Sequence, residues 1–391
     1  MKYDFENLTD RINQVSSKWN AMNNADPQAV KDGIIPLSVA DMEFKMPPEL
    51  TTGVLKYIDG LIMGYSFAPS SFKRAVLSWF KRRHNYSPSE ESMIYTMGVV
   101  PALFTAVRAF SKEGEGVVLM PPVYGPFFDA VNKNNRKLLE CGLINDGGHW
   151  KINFEKLETI FKEEKPKLFL FCSPHNPVGR VWTKQELEKI AELCIKYKVL
   201  LVSDEIHCDL VMPGYKHIIA ETINPELAEN CIICTSLAKT FNIAGIPLST
   251  IFIKNKSLKD KFQTECDKIP AHVFSCLNFK VSEIAYNECE PWLDEVILKI
   301  AENAKLVRSF FAENLPEVKT FDLEGTYLMW LDFNSINILP EKLDEFLQKK
   351  ARLFLTSGLF FGKAGSGFAR LNLAAPTKVI EEALYRLKAA I

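Results

Sequence analysis

Lys239, Asp204, Asn176 and Ser236 are polar residues placed just beyond apolar runs, where their side chains could do chemistry together. Asn176 follows Leu168–Cys172 within Cys-Ser-Pro-His-Asn-Pro-Val-Gly, Asp204 follows Val199–Ser203, and Ser236 and Lys239 follow Cys231–Thr235. In an open parallel sheet, ligands bind beyond the carboxyl ends of the strands. The intervals between these runs leave room for crossover helices, so a lysine, a carboxylate, an amide and a hydroxyl converge on one edge. A lysine works as a carbonyl nucleophile or as a base only with a lowered pKa, which burial supplies. Spacing identifies a site and goes no further.

The elements that must hold these residues are legible in the same stretch. Short apolar runs alternate with helical periodicity, which predicts α/β layering around a largely parallel sheet. Strands are expected at Val117–Met120, Leu168–Cys172, Val199–Ser203, Cys231–Thr235 and Leu248–Ile253. Thr183-Lys-Gln-Glu186 is a capping box opening a helix whose Leu187, Ile190, Ala191, Cys194 and Ile195 form one apolar stripe. Past residue 285 the texture changes to an amphipathic helix over 294–313 and strand-like runs at 327–333 and 368–373. The expectation is a large α/β domain over 46–285 and a small α+β domain over 286–391 joined by segment 1–45. Alternation in the last run puts Phe368, Arg370 and Asn372 on one face.

The 391 residues suit a large domain plus a smaller one, and 47% hydrophobic content can bury substantial cores. A net charge of −1, and basic clusters such as Lys81-Arg-Arg83 without interleaved aromatics, argue against a nucleic-acid or anionic-membrane partner. The opening Met-Lys-Tyr-Asp-Phe is no signal core and no apolar run is long enough for a bilayer, so a cytoplasmic protein is expected. Nine cysteines are scattered; Cys231-Ile-Ile-Cys234 lies in an apolar run with no second pair or histidine cluster. Reduced, mostly buried thiols and no metal are expected.

Ser236-Leu-Ala-Lys239-Thr-Phe-Asn-Ile-Ala-Gly resembles the Schiff-base segment of class I/II aminotransferase-like (fold type I) enzymes, which use pyridoxal 5′-phosphate (PLP). It is most similar to their C–S lyase branch, the MalY/PatB-type cystathionine β-lyases. Matching stretches are Val39-Ala-Asp-Met-Glu-Phe44, Gly64-Tyr-Ser66, Pro174-His-Asn-Pro-Val-Gly-Arg-Val-Trp182, Ser203-Asp-Glu-Ile-His207, Glu324-Gly-Thr-Tyr-Leu328 and Gly367-Phe-Ala-Arg-Leu-Asn372. The resemblance implies that Lys239 carries PLP and acts as base at Cα, and that Asp204 pairs with the pyridine nitrogen. It implies that Asn176 and His207 contact the phenolic oxygen and that Tyr124 stacks on the ring. The backbone N–H groups of Val99 and Val100, at the start of a helix, and the Ser236 hydroxyl would hold the phosphate. Tyr65 would reach the phosphate across a homodimer interface and could serve in catalysis. Arg370 would clamp the substrate α-carboxylate, with Asp41 and Met42 bordering the substrate pocket. Each residue alone has a plain structural use, Asp204 as a helix cap and Tyr124 as a turn residue among prolines.

One departure bears on the reaction. Many aminotransferases carry a phosphate-binding arginine eight residues beyond the Schiff-base lysine, where this chain has Pro247. The C–S lyase branch often lacks that arginine too. The expected activity is therefore β-elimination from a sulfur amino acid, releasing thiol, pyruvate and ammonia. An aminotransferase of the same fold, and a regulatory protein acting through a protein partner, are the alternatives.

Overall fold

Alternation along the central strands decides the architecture, because it sends successive side chains to opposite faces of one sheet. In the computed structural model, which describes residues 2–269 and 274–391, Phe169, Phe171, Leu201, Cys231 and Ile233 enter one apolar core. Leu168, Leu170, Leu200, Val202, Ile232 and Cys234 enter a second on the other face. Strands buried on both faces read as near-continuous apolar runs, which is why the sequence marks them so clearly.

In chain order the strands are β1 Met93–Thr96, β2 Gly116–Leu119, β3 Lys137–Glu140, β4 Ile144–Asn145, β5 Trp150–Lys151, β6 Leu168–Cys172 and β7 Leu200–Asp204. They continue as β8 Cys231–Thr235, β9 Ser249–Phe252, β10 Lys319–Thr320, β11 Leu328–Asp332, β12 Thr356–Ser357 and β13 Phe368–Asn372. Seven form a sheet in the order β1-β9-β8-β7-β6-β2-β3. Neighbours from β8 to β3 are parallel, and β9 is antiparallel to both β8 and β1. β4 and β5 make a small ribbon. A second, antiparallel sheet runs β10-β11-β13-β12, with Arg370 opposite Trp330 on one side and Thr356 on the other.

The capping box is present: the Thr183 hydroxyl accepts from Glu186 N and Glu186 accepts from Thr183 N, opening the helix Lys184–Tyr197. The helix Val99–Phe110 starts after Gly98, whose φ of 116° excludes most side chains. The long helix spans Glu290–Asn314, a turn earlier than its apolar pattern suggests because Pro291 sits in its first turn. The N-terminal segment lies along the second sheet through Leu37 N to Phe354 O, Asn372 N to Leu37 O and Glu43 N to Ala374 O. All nine cysteines are free. Cys231 and Cys234 face opposite sides of β8, so their spacing cannot make a chelating pair. No described helix is long and apolar enough to cross a membrane.

Candidate active site

The carboxyl ends of β6, β7 and β8 open into one cavity of about 520 Å³, a size suited to a cofactor and small substrate. Its wall includes Lys239, Asp204, Asn176, His207, Ser236, Tyr124, Val99, Val100 and Arg370. Residues far apart in sequence are brought together because adjacent parallel strands end at the same level: Cys172 pairs with Asp204, and Asp204 with Cys234.

Lys239 sits on the short helix Leu237–Thr240, capped by Ser236, whose Oγ accepts from Ala238 N. Behind that turn, buried Asp209 accepts from Thr240, Trp79 and His84, anchoring the lysine's neighbour to the core. The Lys239 amine donates to the Ala40 carbonyl at 2.7 Å. Burial, reinforced by the Arg370 charge, lowers its pKa to about 8. It can therefore shed its proton near neutral pH, as a nucleophile or base must.

Asp204 is the last residue of β7, and its carboxylate accepts from Ile206 N at 3.1 Å. It makes no ion pair among the described residues, and burial raises its pKa to about 7, with Glu205 adding to the rise and Lys239 opposing it. A buried carboxylate of this kind calls for a cation, and a protonated pyridine nitrogen is one. Between about pH 4 and 7 the folded cofactor-free chain holds a proton that the unfolded chain has lost, so this group's contribution to stability falls as pH rises. The variant Asp204→Asn lacks that dependence. Its stability relative to wild type should rise between pH 4 and 7, at up to about 1.4 kcal/mol per pH unit. Urea melts of both cofactor-free proteins at each pH measure this, and parallel curves would refute it.

Arg370 is buried on β13. Its guanidinium donates to Asn176 Oδ1 at 3.0 Å, to Ser38 O at 3.1 Å and to Thr356 Oγ1 at 3.2 Å, and lies 4.9 Å from the Phe361 ring centroid. Among the described residues no carboxylate pairs with it and its Nε has no partner, while burial lowers its pKa to about 10. The His207 Nδ1 is likewise buried without a partner among the described residues, and burial keeps the ring neutral by holding its pKa well below the usual histidine value. Tyr124 packs edge-on against Phe360, and burial raises its phenol pKa. The Ser236 hydroxyl donates to Leu248 O at 2.7 Å, so binding an anion through its proton would require it to turn. Val99 and Val100 supply N–H groups from a first helical turn, where no intrahelical acceptor exists.

Two of the residues expected in this site lie elsewhere. Asp41 and Met42 line an adjoining cavity of about 700 Å³, while Val39 and Ala40 face the lysine. The Asp41 carboxylate is held by Arg11 at 2.9 Å and Lys18 at 2.7 Å. Tyr65 is 94% exposed, away from this chain's cavity. Two groups escaped the sequence reading. The Ala40 carbonyl is backbone and leaves no residue-type signal. Tyr327 is fully buried and donates to the same carbonyl at 2.8 Å, with its ring 6.0 Å from His207. Its signal was its place in Glu324-Gly-Thr-Tyr-Leu328 just before β11, where it read as strand core.

These groups fit PLP: an amine of lowered pKa, an unpaired buried carboxylate, helix N–H groups for a phosphate, and a buried guanidinium without a counter-ion. A seven-stranded, mostly parallel sheet carrying such a lysine, followed by a small antiparallel sheet carrying the arginine, is the architecture of the fold type I PLP enzymes. The chain belongs to the aminotransferase class I and II family, whose model matches residues 34–387. It is 36% identical to cystathionine beta-lyase PatB of Bacillus subtilis, over 99% of this chain and 100% of that protein. The crystal structure of cystalysin from Treponema denticola, which contains a pyridoxal 5′-phosphate cofactor, superposes with a TM-score of 0.97 at 46% identity, covering 100% of this chain and 99% of that one. A PLP-bound C–S lyase from Staphylococcus hominis gives a TM-score of 0.91 at 29% identity, covering 100% and 98%.

Proposed function

We propose that the chain is a PLP-dependent C–S β-lyase that cleaves sulfur amino acids to a thiol, pyruvate and ammonia. The observation that carries this reading is the Lys239 amine, its pKa lowered, sharing one cavity with unpaired Asp204 and unpaired Arg370. PLP, when bound, supplies a sink for the electrons released at Cα. Lys239 would hold the cofactor, and its amine would take the Cα proton. Asp204 would supply the negative charge that keeps the ring nitrogen protonated, and His207 and Asn176 would offer polar atoms to the phenolic oxygen. Val99, Val100 and Ser236 would hold the phosphate, and Tyr124 would cover the ring. Arg370 fixes the α-carboxylate through its planar fork. The Cβ–S bond breaks with its electron pair on sulfur, the thiolate takes up a proton, and water converts the released enamine to pyruvate and ammonia.

Elimination rather than transamination is supported by Pro247 at the position where many aminotransferases carry arginine, and by the likeness to a cystathionine beta-lyase and a C–S lyase. Purified holoenzyme given L-cystathionine without a keto acid should release pyruvate and free thiol in equal amounts. Amino-group transfer that depends on an added keto acid, without pyruvate, would instead establish an aminotransferase.

The same reading makes the enzyme a cytoplasmic homodimer with shared sites. Supporting it, Ile62, Met63, Tyr65 and Phe67 are 88%, 67%, 94% and 92% exposed on one short stretch, an apolar band that calls for a cover. Mixing Lys239→Ala with Tyr65→Ala subunits should restore up to about a quarter of wild-type activity, since half of randomly paired dimers carry one intact site. No recovery after subunit exchange would exclude a contribution of Tyr65 across the interface.

A further inference from the structure

The segment Val39–Phe44 is pinned by its carbonyls. Asn372 Nδ2 donates to Val39 O at 2.9 Å and Asp41 O at 2.7 Å, and Asn242 Nδ2 donates to Met42 O at 3.1 Å. Arg11 donates to Met42 O at 3.2 Å and Lys18 to Asp41 O at 2.8 Å. Within this frame the Ala40 carbonyl receives both the Lys239 amine and the Tyr327 hydroxyl.

Immediately behind it lies a group of four charges, Lys18 and Glu43 buried, Arg11 and Asp41 partly exposed. The Lys18 side chain is fully buried, with its amine 2.7 Å from Asp41 and 2.6 Å from Glu43. Arg11 adds contacts of 2.9 Å to each carboxylate, and the Trp19 indole donates to Glu43. Fastening the N-terminal arm does not require such charges, since apolar side chains of similar volume commonly replace a buried ion pair without loss.

We propose that Lys18, Arg11 and Asp41 are positioning residues for the Lys239 amine: they fix the Ala40 carbonyl as its resting acceptor and balance the charge it meets there. The remaining groups facing that amine are Arg370 from β13, Asp204 and His207 at the end of β7, Tyr327 before β11, and Tyr124. Within this set Lys18 works against the protonated amine and Asp41 works for it. Removing one partner of the pair therefore shifts the amine in one direction, and removing the other shifts it the opposite way. A purely mechanical tether has no such sign.

The inference rests on Lys239 being the working amine, but its test needs no bound cofactor. Full-length protein stripped of cofactor is acylated with acetic anhydride across a pH series, and Lys239 labelling is read by peptide mass spectrometry. The wild-type midpoint is expected near 8. Lys18→Met should raise it by about one pH unit, cutting labelling at pH 7 about tenfold. Asp41→Asn should lower it and increase labelling several-fold. If Lys18→Met fails to fold by circular dichroism, Lys18→Gln takes its place, with the same upward shift. Folded variants whose midpoints stay put, or move together, would overturn the proposal. The PLP reading fails separately, if borohydride reduction of holoenzyme attaches no cofactor to Lys239.

Discussion

Lys239→Ala should reduce pyruvate and thiol release by at least about 10⁴-fold, the upper range for loss of a positioned general base, because attachment of the cofactor is lost as well. Lys239→Arg is expected to be no better. It keeps a cation beside the Ala40 carbonyl, but a guanidinium stays protonated at every working pH and cannot take a proton from carbon. The colour of the purified protein gives a second measurement. Borohydride should fix PLP covalently to the wild-type peptide containing Lys239 and leave both variants unlabelled. Substantial elimination by a folded Lys239→Ala protein would remove the lysine from the mechanism altogether.

Arg370→Lys should lower kcat/KM by about 2–5 kcal/mol, or roughly 30- to 5000-fold, the cost of losing one partner of a buried charged contact. The size of the effect follows from geometry. Arg370 already spends hydrogen bonds on Asn176, Ser38 and Thr356 and still has its Nε without a partner, so its planar fork can serve the frame and a carboxylate together. An ammonium offers three donors around a point and cannot do both. The specific signature is discrimination. Wild type should strongly prefer a cysteine conjugate over the matching amine that lacks the carboxylate, and Arg370→Lys should lose most of that preference. An undiminished preference in the variant would place carboxylate recognition elsewhere.

The parts of the molecule that the sequence made legible are those where a single physical pressure acts. β6 and β8 begin and end where their apolar runs do, since both faces are buried. The Thr183–Glu186 box marks its helix start because capping is local. β7 was misjudged by one residue, running through Asp204, because pairing with Cys172 and Cys234 extends the ladder over a polar side chain. The edge strand β3 carries exposed Lys137 and Glu140 around a buried Leu139, too short an alternation to stand out. β9 has the apolar run of a buried strand, and nothing local in it says that it lies antiparallel to β8. In the site, side chains at strand ends could be named from their types and resemblance, whereas the Ala40 carbonyl and the Lys18–Asp41 pair depend on the path of the N-terminal segment. That path is set by contacts with Asn372 and Asn242, hundreds of residues away along the chain.

The arrangement of the cysteines has a consequence for an enzyme whose product is itself a thiol. Thiols attack disulfides, and oxidised thiols capture exposed thiolates. This chain has no disulfide to be opened, and seven of its nine cysteines are buried. Burial raises the thiol pKa at Cys141, Cys172, Cys194, Cys208, Cys231, Cys234, Cys266 and Cys289, which keeps them protonated and poorly nucleophilic. Those eight thiols are in this way chemically deaf to what the enzyme makes, which leaves partly exposed Cys276 as the one thiol open to an accumulating pool of reactive sulfur.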